Sequence, residues 1–305
     1  MKIFVTSPNE NWVLDRFKKE WIDHTRQYFT NNINEADALW FLDGYSWQAI
    51  PQQFLAGKKV IATVHHVVPE KFSASDFLVR DQIIDYYHVP CEKTKKQIEE
   101  YTDKPILVLP FWVNDKIWID MQKSSKQLRK KYNLPQEKYL VGSFQRDTEG
   151  HDLKSPKLEK GPDLLCDFIE KNDWPSRDVE VVLSGWRRQY VISRLEAAKI
   201  KYHFYEMCDF KTLNELYNCL DLYVVSSRYE GGPQAIMECA ITKTPIISTN
   251  VGLASRILAP ESIASDNNLT FATPNTEHAY NNVIKYIMKD HIIKFRKLFE
   301  RIINE

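Results

Sequence analysis

The residues that could do chemistry gather in one stretch, Ser226-Ser227-Arg228-Tyr229-Glu230-Gly231-Gly232-Pro233-Gln234-Ala235-Ile236-Met237-Glu238. An apolar strand pattern, Leu222 to Ser226, gives way to a glycine pair, and Pro233 opens a helical pattern. The first amides of a helix lack intrahelical partners and lie at the positive end of its dipole. Such an end seats phosphate, and glycines at 231 and 232 let the backbone approach an anion closely. Glu230 stands before the helix, while Glu238 lies more than one turn inside it. At about 1.5 Å of rise per residue, the two carboxylates can serve opposite ends of one diphosphate-linked ligand. The other reading of the same residues is a helix start decorated with acid for its dipole, followed by a solvated glutamate.

This stretch resembles the signature of the retaining GT-B glycosyltransferases of group 1, which include glycogen-synthase-like and mannosyltransferase enzymes. That signature is a glutamate, seven residues and a second glutamate, the spacing of Glu230 and Glu238. The resemblance implies that Glu230 contacts a donor sugar and Glu238 the ribose hydroxyls. It extends to Leu222–Ser227 and Thr244–Gly252, which look like the family's flanking strands. Upstream, Leu140-Val141-Gly142-Ser143-Phe144-Gln145-Arg146 and Glu159-Lys160-Gly161-Pro162-Asp163 resemble its strand, basic loop and Lys-Gly helix start. Relatives carry an arginine directly after the glycine; here Ser143 holds that place and Arg146 comes three residues later. Arg146, Lys160, Gly231 and Gly232 are therefore the expected donor-diphosphate residues. One planar arginine fork and one lysine point charge can neutralise a departing diphosphate without a metal. The polar insertion Asp147–Lys157 adds Lys154 and Lys157; a surface loop is an equal reading for Lys160 and the favoured one for Lys154.

In the first half, Ala62-Thr63-Val64-His65-His66 places two histidines directly after a buried strand, where open α/β sheets hold ligands. Neighbours on an extended chain point to opposite sides, so the pair does not chelate a metal. Relatives read Thr-Val-His-Asp there, which implies that His65 faces the donor sugar or the transferred group and leaves His66 to packing or solvent. Thr6 to Asn11 corresponds to the loop where relatives admit the acceptor. Gly185, Trp186 and Arg187 follow a strand where relatives begin to enclose the nucleotide, and Tyr205 and Met207 fall where the family places the base. Trp186 could stack and Arg187 could meet phosphate, although an exposed basic turn fits the same residues.

The elements that must position these residues are short. Lys2–Thr6, Ala38–Leu42, Lys59–Val64 and Ile106–Leu109 are apolar runs separated by amphipathic segments such as Leu14–Thr30, an α/β rhythm with a parallel sheet. Asp120–Pro135 is polar and basic and lacks strand signals, and a fresh strand starts at Tyr139. Val179–Ser184, Leu222–Ser226 and Pro245–Thr249 continue the rhythm. Leu213, Leu216, Tyr217 and Leu220 share a helical face behind a Thr212-x-x-Glu215 capping box. The rhythm gives an α/β fold, and the resemblance implies that it is GT-B, with two Rossmann-like domains facing across a cleft. The expected boundaries are 1–118 for the acceptor domain, 119–137 for a linker, 138–285 for the nucleotide-sugar domain and 286–305 for a C-terminal helix crossing back.

Composition narrows the partners. Lys plus Arg and Asp plus Glu both total 41, so no global field attracts nucleic acid. The longest apolar run, Ile106–Val113, is interrupted by Pro110 and too short to cross a bilayer. Membrane contact is expected only through a lipid-linked acceptor, and the start reads as a strand, giving a cytoplasmic protein. Five cysteines, none closer than eleven residues, frame neither disulfides nor zinc. The expected activity is metal-independent and cofactor-free transfer of a hexosyl unit, with retention, from a UDP-, GDP- or ADP-sugar to a glycan, glycolipid or other hydroxyl acceptor. A nucleotide-sugar epimerase or hydrolase, or a non-catalytic sugar-nucleotide-binding subunit, stands as the alternative on the same scaffold.

Overall fold

Ala38-Leu39-Trp40-Phe41 is apolar at every position, a run that suits a strand covered on both faces. In the computed structural model, which describes residues 1–10, 13–172, 174 and 178–305, it is such a strand, with all four side chains buried. It is the second strand of a parallel sheet whose strands lie side by side in chain order. These are β1 (Ile3–Thr6), β2 (Ala38–Phe41), β3 (Lys59–Thr63), β4 (Tyr86–Val89) and β5 (Ile106–Val108). Register pairs Ile3 with Ala38, Ala38 with Lys59, Ile61 with Tyr86 and Tyr87 with Ile106. Because strand side chains alternate, Ala38 and Trp40 join Ile3, Val5, Phe17 and Trp21 on one face, while Leu39 and Phe41 join Val60, Ala62, Tyr87 and Val89 on the other.

The first face is closed by the far end of the chain. Helix Met288–Asn304 lays Met288, Ile292, Phe295, Phe299 and Ile302 into it, at alternating spacings of four and three residues. Phe299 meets Trp40 at 5.0 Å and Trp21 at 5.3 Å between ring centroids. The chain accordingly divides into one unit of Met1–Trp112 with Met288–Glu305 and a second of Val113–Ile287.

The second unit carries strands β6 (Tyr139–Ser143), a short hairpin of β7 (Thr148–Glu149) and β8 (Ser155–Pro156), then β9 (Val179–Ser184), β10 (Tyr202–Tyr205), β11 (Leu222–Val225), β12 (Ile246–Thr249) and β13 (Ile263–Ala264). Apart from the hairpin they form a parallel sheet in the order β10-β9-β6-β11-β12-β13. Chain order therefore runs outward in both directions from the β6/β11 pair. That reversal is where doubly wound sheets open a ligand crevice beyond their strand ends. The first sheet, in straight chain order, has no such reversal among its described strands.

Several elements differ from expectation. Residues 119–137 do not stand apart as a linker. Ile119 and Met121 donate their N–H groups to the Asn214 and Asn218 side chains at 2.9 and 2.7 Å, and the buried Arg129 binds Cys219 O at 2.9 Å and Asp221 at 2.8 Å. A charged segment packs in this way when its cations find carbonyls and a carboxylate to satisfy them. The helix read as starting at a Thr212-x-x-Glu215 box instead starts at Phe210, where the Asp209 side chain accepts from Thr212 N at 2.7 Å. Glu215 turns to Lys131 and Tyr132. The polar insertion holds the β7/β8 hairpin. Strand β4 escapes an apolar-run reading because His88 sits inside it, and Asn11, at the end of the expected acceptor loop, lies outside the described residues.

Candidate functional site

Two left-handed glycines bring the site residues together. Gly161, at φ 59°, follows Lys160, and a Cβ there would lie 1.9 Å from the Ser226 carbonyl oxygen. Gly252, at φ 48°, would put a Cβ 2.3 Å from the Gly231 oxygen. Only glycine allows both the conformation and the approach. The Leu158–Gly161 turn is thereby pressed against the end of β11, and the loop after β12 against Glu230-Gly231. Glu159 O also accepts from Arg228 N at 2.9 Å and Tyr229 N at 3.2 Å. Arg228 locks the same two segments with a two-pronged pair to Asp163, at 2.7 and 2.6 Å. Burial works to raise the Asp163 pKa, but this hydrogen-bonded guanidinium holds it below the usual carboxylate range.

Lys160 consequently meets Glu230 in an ion pair at the tips of the strands flanking the reversal. Both side chains are mostly shielded, at 19% and 12% exposure, so the pair is less screened than a surface one. Ser227 Oγ lies 3.4 Å from the same Glu230 oxygen and 3.3 Å from Gln145 Oε1, while Gln145 Nε2 donates to Lys160 O at 2.9 Å. Glu230 and Lys160 are thus held from β6, β11 and the Gly161 turn at once. Gly231 and Gly232 lead into helix Gln234–Thr242, whose first turn carries no side-chain cap, leaving an amide end suited to an anion. Glu238, 5% exposed, projects from the interior of that helix and accepts a hydrogen bond from Tyr217 at 3.0 Å.

Arg146, Trp186 and Arg187 form a second cluster. The Arg146 guanidinium carbon lies 5.1 Å and that of Arg187 4.4 Å from the Trp186 ring centroid, with Trp186 itself 49% exposed. Arg146 Nε donates to Thr148 O at 3.0 Å, and Arg187, in a left-handed conformation at φ 56°, reaches Gly150 O at 3.3 Å. Gly185 precedes them at φ 103° and faces the Gln145 backbone. Tyr205 pairs in register with Ser184 one strand over. Its hydroxyl donates to Tyr132 O at 2.7 Å, and burial pushes its pKa up to about 12, so the phenol is a packing group as much as a ligand group. Met207, beyond it, is 64% exposed.

His65 belongs to the first unit. Its ring stacks on Phe111 at 5.6 Å, and its Nε2 donates to Leu42 O at 2.7 Å. Behind it Trp40 Nε1 donates to Thr63 Oγ1 at 2.9 Å, Thr63 donates to His88 Nδ1 at 3.0 Å, and His88 Nε2 donates to Leu109 O at 2.7 Å. Burial holds the His88 pKa down to about 3, so this relay is neutral.

A family model described as glycosyl transferases group 1 matches residues 124–304. The chain belongs to the group 1 glycosyl transferases. No curated sequence matches this transferase. Among solved structures it is similar to Anabaena HepE in complex with UDP and glucose, with TM-score 0.76, 11% identity, and coverage of 99% of this chain and 100% of that one. It is also similar to sucrose-phosphate synthase from Thermosynechococcus elongatus, with TM-score 0.70, 15% identity and coverage of 97% and 80%. The pneumococcal O-GlcNAc transferase GtfA gives TM-score 0.63, 14% identity and coverage of 96% and 60%. At such identities the likeness is one of fold, and the transferase has the GT-B fold, mixed α/β with parallel sheets.

Two residues of the transferase escape sequence reasoning. Arg188, fully buried, pairs with Asp147 and donates to Ser143 O and to Ser184 O at 2.6 Å. It ties the ends of β6 and β9 together through Ser143 and Ser184. Nothing in the spacing separates Arg188 from its half-buried neighbour Arg187. Tyr217 reads as one more apolar position on a helical face. Among the described residues, no group of three or more His, Cys, Asp or Glu side chains is placed to hold a metal ion, and no helix is long and apolar enough to cross a membrane.

Proposed function

We propose that the transferase moves a hexosyl unit, with retention, from a nucleoside-diphosphate sugar to an acceptor hydroxyl. The observation that carries this reading is the shielded Lys160–Glu230 pair at the β6/β11 reversal, directly before the uncapped start of helix Gln234–Thr242. A cation, an amide end and a carboxylate side by side support a seat for a diphosphate and its sugar. The UDP and glucose found with HepE support that class of donor. Glu230 orients the sugar and Glu238 holds the ribose. Lys160, Arg146 and the amides near Gly231 and Gly232 stabilise the leaving diphosphate without a metal. Gly185, Trp186, Arg187, Tyr205 and Met207 surround the nucleoside. The bond from the anomeric carbon to the diphosphate oxygen breaks while the acceptor oxygen bonds to that carbon on the same face. The acceptor proton passes to the departing diphosphate.

Incubation with UDP-, GDP- and ADP-sugars and hydroxyl acceptors, followed by product analysis, tests the proposal. The expected product is a glycosylated acceptor of unchanged anomeric configuration. Free sugar alone would mark a hydrolase, an altered donor an epimerase, and tight binding without turnover a non-catalytic subunit.

A further inference from the structure

Glu238 is a carboxylate inside a helix, and the last torsion of a glutamate is broad and roughly two-fold. Left to itself such a group presents a smeared acceptor rather than an aimed one. Here the Tyr217 hydroxyl, at the end of helix Phe210–Tyr217, donates to Glu238 Oε2 at 3.0 Å. Burial raises the pKa of this phenol well above its ordinary value, so it keeps its proton and acts as a donor. Its ring is 1% exposed and is boxed by Phe144, Tyr223 and Trp118 at centroid distances of 4.9, 5.2 and 5.7 Å. Phe144 N in turn donates to the Tyr223 hydroxyl at 3.0 Å, linking the box to the end of β6. The backbones on both sides are fixed as well: Thr244 Oγ1 donates to Tyr217 O at 3.1 Å and Thr242 Oγ1 to Glu238 O at 2.8 Å. A ring so enclosed has one place to put its hydroxyl, and that place is one oxygen of Glu238.

We propose that Tyr217 is a positioning residue that sets the plane of the Glu238 carboxylate and thereby gives the transferase its discrimination between ribonucleotide and deoxyribonucleotide donors. This rests on the reading of Glu238 as the ribose-binding residue. A carboxylate aimed at a hydroxyl pair discriminates strongly against a ligand that lacks one of them. A carboxylate whose plane is less firmly held does so weakly. In this proposal Tyr217 acts through Glu238, to which its hydroxyl donates.

The test is calorimetric binding of UDP, GDP and ADP and of their 2′-deoxy counterparts to the parent, Tyr217→Phe and Glu238→Ala proteins. For the nucleotide the parent binds most tightly, Tyr217→Phe should lose about five- to tenfold in ribonucleotide affinity. Its deoxynucleotide affinity should hold within about twofold, so the ribo/deoxy ratio collapses. In turnover the loss should fall on KM, with kcat changed by less than about twofold. A role in packing alone would lower the melting temperature and leave the ribo/deoxy ratio at the parent value. That outcome, with Glu238→Ala collapsing the ratio, overturns the proposal and spares the ribose reading. An unchanged ratio in Glu238→Ala, or a parent that binds none of the three nucleotides, overturns both. Should Tyr217→Phe fail to fold, the comparison moves to Glu238→Gln, which strands no buried charge. Adding Tyr217→Phe to that variant should reduce the ratio further, and no further reduction overturns the proposal.

Discussion

Lys160 is paired with Glu230, and a diphosphate bound there would draw on the same ammonium. Replacing Lys160 by alanine should therefore slow transfer at least about tenfold, roughly 1.4 kcal/mol of barrier, measured as kcat at saturating donor. Full activity in that variant would remove Lys160 from leaving-group stabilisation. Glu230→Gln keeps the shape and removes the charge, so turnover should fall by more than donor affinity does. Equal losses in the two would assign Glu230 to uniform binding. These two residues were legible because type and spacing carry their message: a carboxylate before a glycine pair, and a lysine before a glycine-proline helix start. Arg188 and Tyr217 were not. Arg188 draws its meaning from Asp147 and Ser143, which pairwise burial joins across a long stretch of chain, and Tyr217 looks like core until its hydroxyl is seen on Glu238.

The Gly161 turn shows how an element imposes that geometry. Gly161→Ala meets two penalties, a left-handed backbone worth about 1–2 kcal/mol and a Cβ driven into the Ser226 carbonyl. Gly57, at φ 73°, has nothing within 4 Å of its ideal Cβ, so Gly57→Ala should carry the first penalty alone. Thermal melts should show the Gly161 variant several degrees below the Gly57 variant, with donor binding impaired only in the former. Strand β4 offers a titration. The folded state keeps His88 neutral down to about pH 3, whereas an unfolded histidine takes a proton near 6.5. The unfolded state thus binds more protons in that window. Stability is complete above about pH 6.5 and is lost as pH falls, by up to about 1.4 kcal/mol per unit. Urea midpoints between pH 6.5 and 4.5 should decline more gently in His88→Gln than in the parent. The same histidine explains why β4 was hard to read, since a strand interior was recognised by apolar runs and a buried imidazole satisfied by Thr63 and Leu109 breaks the run. Val179–Ser184 was legible because Val181, Val182 and Leu183 form an unbroken apolar run beyond the buried Glu180.

At the scale of the whole molecule, positive potential for the diphosphate has to be local, because the total charge is zero. If side chains and helix amides supply it, transfer should survive EDTA, and abolition with rescue by Mn²⁺ would overturn that account. The α/β alternation was legible apart from strands such as β4, and 119–137 looked like a linker because its cations are visible in sequence and the carbonyls that satisfy them are not. One feature of the chain's division into two units reaches beyond the finished protein. Phe295, Phe299 and Ile302 complete a core begun by Ile3, Trp21 and Trp40, while Val113 N bonds Tyr286 O at 2.9 Å and so closes the second unit upon itself. During synthesis the residues made first must wait, their aromatic face uncovered, until the last helix leaves the ribosome. The part encoded in the middle can finish first. A pause before Met288 would prolong the exposure of Trp21 and Trp40 to whatever chaperone attends the nascent polypeptide.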